Sequence, residues 1–206
     1  MYIFFLGPPG AGKGTQCKIL SDKYKKINVI TASSALKVKL NNSALLSTGE
    51  LLPDDVVVHA LYDTMKGDNF YLIDGAPRSL AQAKLMHEYN IIPSLVLELF
   101  APWEYTLERI LGRMIHEPSG RLYHDKYNPP KVSGYDDITC EPLIRRKDDD
   151  SNIFKRRCDI YCQHREDIKA FYHEKNISYY IIDASQNINT ITTVIEECLI
   201  SHQLLP

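Results

Sequence analysis

Nine residues near the start of the chain, Gly7-Pro8-Pro9-Gly10-Ala11-Gly12-Lys13-Gly14-Thr15, have the makings of a phosphate cradle. Glycines let successive backbone N–H groups turn toward an anion, and a helix that follows presents its positive N-terminal end to the same point. Lys13 adds a mobile positive charge, and a hydroxyl beside it would reach a magnesium ion. The general pattern puts that hydroxyl directly after the lysine; here Gly14 intervenes and the hydroxyl arrives as Thr15. A glycine cluster alone is as often a turn as a ligand site, so context decides. The apolar run Tyr2-Ile3-Phe4-Phe5-Leu6 before it and the amphipathic stretch from Thr15 to Tyr24 after it supply the strand and helix that the reading requires.

Phosphoryl transfer asks little covalent work of a protein and much positioning and charge neutralisation, so such a site needs arginines. The chain offers Arg78 in Asp74-Gly75-Ala76-Pro77-Arg78, then Arg109, Arg113, Arg121, Arg145, Arg146, Arg156 and Arg157. Arg109 and Arg113, four apart on an expected helix, would share a face turned toward the segment that follows. Arg156 and Arg165 read as solvated charges paired with local carboxylates. Arg78 differs, because it follows a strand end, where open parallel sheets bind ligands. Asp74 is either a turn former or a partner of magnesium through water, and the second reading is favoured.

These residues need a frame, and the chain carries one. Apolar runs at 2–6, 27–31, 70–73, 95–99 and 178–182 alternate with helical patterns at about 14–25, 33–41, 54–65, 79–89, 102–113, 151–174 and 187–202. Strands alternating with helices predict an α/β fold whose parallel sheet is covered on both faces. The stretch from Ile115 to Asp150, with Pro129, Pro130 and a mix of Tyr, His, Arg and Asp, shows little helical period. It is too long for an ordinary connection and reads as a lid. A length of 206 residues with 44% hydrophobic content suits one domain with a small insertion, and a net charge of −2 gives no argument for nucleic acid or an anionic membrane as partner. The opening apolar run is too short for a signal sequence or membrane span, so a cytosolic protein is expected. Five cysteines without tight paired spacing read as reduced thiols, and Cys158 and Cys162 as two helix thiols, not metal ligands.

Together, Gly7 to Thr15, Asp74-Gly75-Ala76-Pro77-Arg78, Gly120-Arg121-Leu122-Tyr123-His124, Tyr127-Asn128-Pro129-Pro130-Lys131 and Arg145-Arg146-Lys147-Asp148-Asp149 resemble the nucleoside monophosphate kinases, most closely the long-form adenylate kinases, over nearly the full length. The Gly-Lys-Gly-Thr ending is a trait of that family's phosphate loop. The resemblance implies a P-loop nucleoside monophosphate kinase fold with a five-stranded parallel sheet, and reversible transfer of a phosphoryl group from ATP to AMP with magnesium. It implies a core of 1–31, 50–113 and 151–206, an AMP-binding segment at 32–49, a lid at 114–150, and a cytoplasmic monomer.

Carried over by position, Gly10, Ala11, Gly12, Lys13, Gly14 and Thr15 would hold the ATP phosphates, with magnesium reached by Thr15 and, through water, Asp74. Arg113 would contact ATP phosphate, while Arg109, Leu122, Tyr123, His124 and the backbone at Gln186 would enclose its adenine. Thr31, Lys37, Glu50, Leu51, Leu52, Gly75, Ala76, Pro77 and Arg78 would meet AMP, and Gln82 would read its base. Arg146 and Arg157 would span both phosphate chains, oriented by Asp148 and Asp149. Where some relatives hold zinc with four cysteines, this chain has His116, Ser119, Asp136 and Thr139, so a hydrogen-bonded polar cluster is expected and zinc is not.

The acceptor side departs from the family. Its usual Ser/Thr-Gly-Asp-x-Leu-Arg pattern is replaced by Thr31-Ala32-Ser33-Ser34-Ala35-Leu36-Lys37, which exchanges a planar fork for a point charge, and the segment from Lys37 to Gly49 is short. Alternatives therefore stand beside AMP: a kinase for UMP, CMP or GMP, against which Gln82 argues; a nucleotide-binding regulatory protein without turnover; and a phosphate-loop switch, for which no residue is placed to activate water.

Overall fold

The computed structural model describes residues 1–40, 52–67, 69–146 and 149–205. Five parallel strands, β1 (Tyr2–Leu6), β2 (Ile27–Thr31), β3 (Phe70–Asp74), β4 (Pro93–Phe100) and β7 (Tyr179–Asp183), form one sheet in the order β2-β3-β1-β4-β7. The central strand β1 is apolar without alternation because helices cover both of its faces. Phe4, Leu6, Ile73 and Val96 look to one side; Ile3, Phe5, Leu72 and Leu97 look to the other.

On the first side pack α2 (Ala32–Lys39), α3 (Asp54–Thr64), α4 (Leu80–Glu88) and the 24-residue α6 (Ser151–Glu174); on the second, α1 (Lys13–Lys23) and α7 (Ile188–Ser201). The predicted starts of α4 and α6 are borne out by caps. The Ser79 hydroxyl accepts from Gln82 N at 3.0 Å, and the Asp150 carboxylate accepts from Asn152 N at 2.8 Å.

Two expectations need correction. The helix predicted over 102–113 is α5 (Trp103–Leu111), closed by Gly112, so Arg113 does not share a helical face with Arg109. Arg113 instead opens β5 (Arg113–His116), which pairs antiparallel with β6 (Arg121–His124). The stretch that shows little helical period thus carries a hairpin at its start. Its hairpin escaped the pattern because its inward side chains are His116, Arg121 and Tyr123, gathered on buried Asp136, and polar residues on the inner face leave no apolar alternation to read. The expected acceptor segment 32–49 is described only to residue 40.

Candidate functional site

The cradle residues meet the sheet at its C-terminal edge, where β1 ends. Gly7 has φ of 133°, and a Cβ there would lie 2.1 Å from the Leu99 carbonyl oxygen of β4, so only glycine lets the loop rest on that strand. Lys13, in the first turn of α1, curls back over the loop and donates from Nζ to the carbonyls of Gly7 and Pro8, both at 2.8 Å. Burial brings its ammonium down from 10.5 to about 8, Arg78 and Arg157 push the same way, and Asp74 opposes them. Asp74, at the end of β3, is raised by its own burial and drawn back by Lys13, Arg78, Arg157 and Arg113. Lys13, Arg78, Arg113 and Arg157, from four segments of the chain, are thus within electrostatic reach of Asp74. The Asp74 carboxylate lies 3.6 Å from where a Gly14 Cβ would stand, beside the turn that carries Thr15.

Across the cleft, Arg78 Nε donates to the Gly75 carbonyl at 2.8 Å, and Arg78 N donates to Gln82 Oε1 at 2.7 Å. Because a backbone N–H can only donate, that bond fixes which end of the Gln82 amide is which. The Nε2 end is buried and has no partner among the described residues. Thr31 serves as the cap of α2: its hydroxyl accepts from Ser34 N at 2.9 Å while Ser34 Oγ accepts from Thr31 N at 3.2 Å. Aligned on Leu36-Lys37, the family pattern's Asp falls on Ser34, and a capping box between Thr31 and Ser34 holds the turn there. Lys39 bonds Asp63 of α3 at 2.7 Å, whereas Lys37 is exposed and has no partner among the described residues. Leu52 precedes Pro53, the first flank of α3. Glu50, Leu51 and Asp148 lie outside the described residues.

The adenine-side candidates gather at the lid root. Arg109 donates to the Ala184 carbonyl at 2.7 Å, in the same turn as Gln186, whose Nε2 donates to Asp183 at 3.1 Å. The guanidinium of Arg109 also lies 5.7 Å from the ring centroid of Tyr127. The sequence places Tyr127 only within the Tyr127-Asn128-Pro129-Pro130-Lys131 motif; its aromatic type three residues after His124 is the signal for this contact. Leu122 is partly exposed on β6, but Tyr123 turns into the lid, where its hydroxyl donates to Asp136 at 3.0 Å. His124 accepts at Nδ1 from Lys126 N and Tyr127 N, which leaves Nε2–H to donate to the Glu108 carbonyl at 3.3 Å. A Cβ on Gly112 would come within 2.5 Å of that ring, so His124 of β6 packs onto the end of α5 across a bare backbone.

Arg113 grips Asp149 with its guanidinium fork, Nε to Oδ2 being 2.8 Å. Arg146 lies at the lid's exit and Arg157 on the second turn of α6. The expected polar cluster is present. Arg121 binds Asp136 bidentately at 2.8 and 2.7 Å and holds its carboxyl far below the usual range, and Asp136 also takes Ile138 N and Thr139 N. His116 joins Ser119 through Nδ1 and Glu141 through Nε2, both at 2.6 Å. Arg121 can only donate to Nδ1, so the proton sits on Nε2 and faces Glu141. Among the described residues, no group of three or more His, Cys, Asp or Glu is arranged to hold a metal, and no helix is long and apolar enough to cross a membrane.

The family model for adenylate kinase matches residues 5–177. The adenylate kinase of Blochmanniella pennsylvanica is 37% identical over 205 residues, covering 92% of this chain and 94% of its own. That of Buchnera aphidicola subsp. Acyrthosiphon pisum is 38% identical, covering 97% and 99%. That of Photorhabdus laumondii is 38% identical, covering 97% and 100%.

Proposed function

The chain belongs to the adenylate kinase family, and on that premise we propose how its residues divide the work of moving a phosphoryl group from ATP to AMP to give two ADP. The observation that carries the proposal is the shared electrostatic site of Lys13, Asp74, Arg78, Arg113 and Arg157 at the C-terminal edge of the sheet. On the donor side, the backbone from Gly10 to Thr15 cradles the ATP phosphates and Lys13 leaves its two carbonyls to follow the transferred group. Arg109 with Tyr127, Leu122 and the turn at Gln186 flank the base. On the acceptor side, Thr31, Lys37, Leu52 and Gly75 to Arg78 receive AMP. Arg113, Arg146 and Arg157 spread the charge that develops between the two phosphate chains. Thr15 and Asp74, whose carboxylate lies 3.6 Å from where a Cβ on the neighbouring Gly14 would stand, would supply a hydroxyl and a carboxylate, hard oxygen donors of the kind a water-bearing magnesium ion takes. When bound, magnesium neutralises phosphate charge and fixes the phosphate geometry. Closure of the lid over the root at Gly112 excludes water, so the phosphoryl group goes to AMP and not to solvent. We further propose that the enzyme works as a cytoplasmic monomer.

Preference for AMP rests on Gln82. With Oε1 committed to the Arg78 N–H, the amide has only its Nε2 donor left for a base. Adenine presents an acceptor nitrogen on its pairing edge, as does the smaller cytosine; guanine and uracil present an N–H there, and two donors facing each other leave both unpaired. A coupled assay offering ATP with each monophosphate in turn is expected to rank AMP first, CMP second, and GMP and UMP last. Equal rates for all four would remove the adenylate preference while leaving a nucleoside monophosphate kinase.

A further inference from the structure

Glu98 is a charged residue with no exposure, set in the middle of the sheet on β4. An isolated carboxylate there would be costly, and three donors surround it. Tyr161 and Arg165, both on α6, donate to Oε1, the Arg165 Nε from 2.5 Å; Tyr179 of β7 donates to Oε2 from 2.8 Å. The Arg165 guanidinium also lies 5.0 Å from the Phe100 ring centroid on the same strand. Arg165, expected to be a solvated charge with a local partner, instead reaches a carboxylate 67 residues away, with Glu166 as a second contact.

The position of this cluster in the fold gives it a consequence. Glu98 pairs in register with Leu6, the last residue of β1, and the next residue, Leu99, is the one whose carbonyl the loop rests on at Gly7. On α6, residues 157, 161 and 165 follow one another at four-residue steps and lie along one stripe. Farther along, Ile168 and Tyr172 pack apolar against the sheet. Toward the sheet's C-terminal edge the stripe turns polar at Arg165 and Tyr161, and one turn later Arg157 comes within electrostatic reach of Lys13 and Asp74. An apolar contact would tolerate sliding of a long helix, whereas a carboxylate that accepts from two adjacent turns fixes both its depth and its rotation.

We propose that Tyr161 and Arg165 are positioning residues: by bonding Glu98, they lock α6 to the strand on which the phosphate loop rests and so set where Arg157 meets the transferred group. This rests on the role given to Arg157 above. The test is a double-mutant cycle in the full chain with steady-state kinetics and thermal unfolding. Arg165→Met is expected to lower kcat about fivefold and Tyr161→Phe about threefold, with KM for ATP within about twofold, and Arg165→Lys to fall between wild type and Arg165→Met. In an Arg157→Lys background, Arg165→Met should cost less than about 1.5-fold in kcat, because the residue it positions has already lost its fork. If Arg165→Met costs the same factor in both backgrounds, or lowers the melting temperature with kcat untouched, the positioning role is overturned and Glu98 is a structural anchor only. If Arg157→Lys alone leaves kcat at the wild-type value, the phosphate role of Arg157 itself falls and takes this proposal with it.

Discussion

The donor and acceptor halves proposed for the cleft are built by different means. The donor half is made of backbone: a loop seated on β4 through Gly7, a helix N-terminus, and a lysine held ready over two carbonyls. The acceptor half is made of side chains that reach in from separate elements, Arg78 braced on Gly75 and Lys37 projecting from the last turn of α2. Backbone donors survive most substitutions in their own residues, provided the glycines stay. Side-chain donors change with every replacement.

If the donor half depends on preorganised charge, removing its one mobile cation should have the largest effect available in this protein. Lys13→Met is expected to lower kcat by about 10²–10³, the range seen when a single transition-state donor is lost, with melting temperature nearly unchanged because its carbonyl partners return to solvent. A loss under tenfold in the same coupled assay would mean that the backbone alone stabilises the transferred group. The same lysine should separate the halves by pH. Its ordinary value is 10.5 and burial brings it to about 8 in the free protein. Bound phosphate restores the charged form, so ATP binding must take up a proton once the pH exceeds about 8. KM for ATP should therefore rise up to about tenfold per pH unit above that point, while KM for AMP, which does not use Lys13, stays flat. Parallel rises for both nucleotides would show that the effect does not belong to Lys13.

Legibility in the sequence followed the same divide. The inner strands β3, β1 and β4 and the phosphate loop could be read because buried parallel strands are continuous apolar runs and the loop's glycines are fixed by close backbone contacts such as Gly7 on Leu99. The lid hairpin could not, since its inner face is a polar cluster around Asp136 and carries no hydrophobic period. Arg113 falls on β5 and not on α5 because the helical pattern in the sequence runs to 113 whereas Gly112 caps the helix after Leu111. The Glu98 cluster was invisible for a different reason: its partners are 63 to 81 residues away, and no local spacing announces such a meeting. Arg165 therefore read as a surface charge.

The smallest predicted effect is the one that tests the acceptor half directly. Lys39 is engaged with Asp63, so in the last turn of α2 it is Lys37 that has a charge to offer an incoming phosphate. An ammonium there meets the phosphate as a point charge, whereas a guanidinium in the same place meets two oxygens in a plane. Lys37→Arg should accordingly lower KM for AMP by about threefold, the scale of ~0.7 kcal/mol for one partly solvated ion pair, and leave KM for ATP and the melting temperature where they were. Because α2 is held from its other end by the Thr31 and Ser34 caps, the exchange has no means of acting through helix stability. An unchanged KM for AMP would place Lys37 outside the phosphate clamp and leave Arg78 as its main side-chain donor, making the acceptor half weaker than the donor half by a whole residue and not by the shape of one.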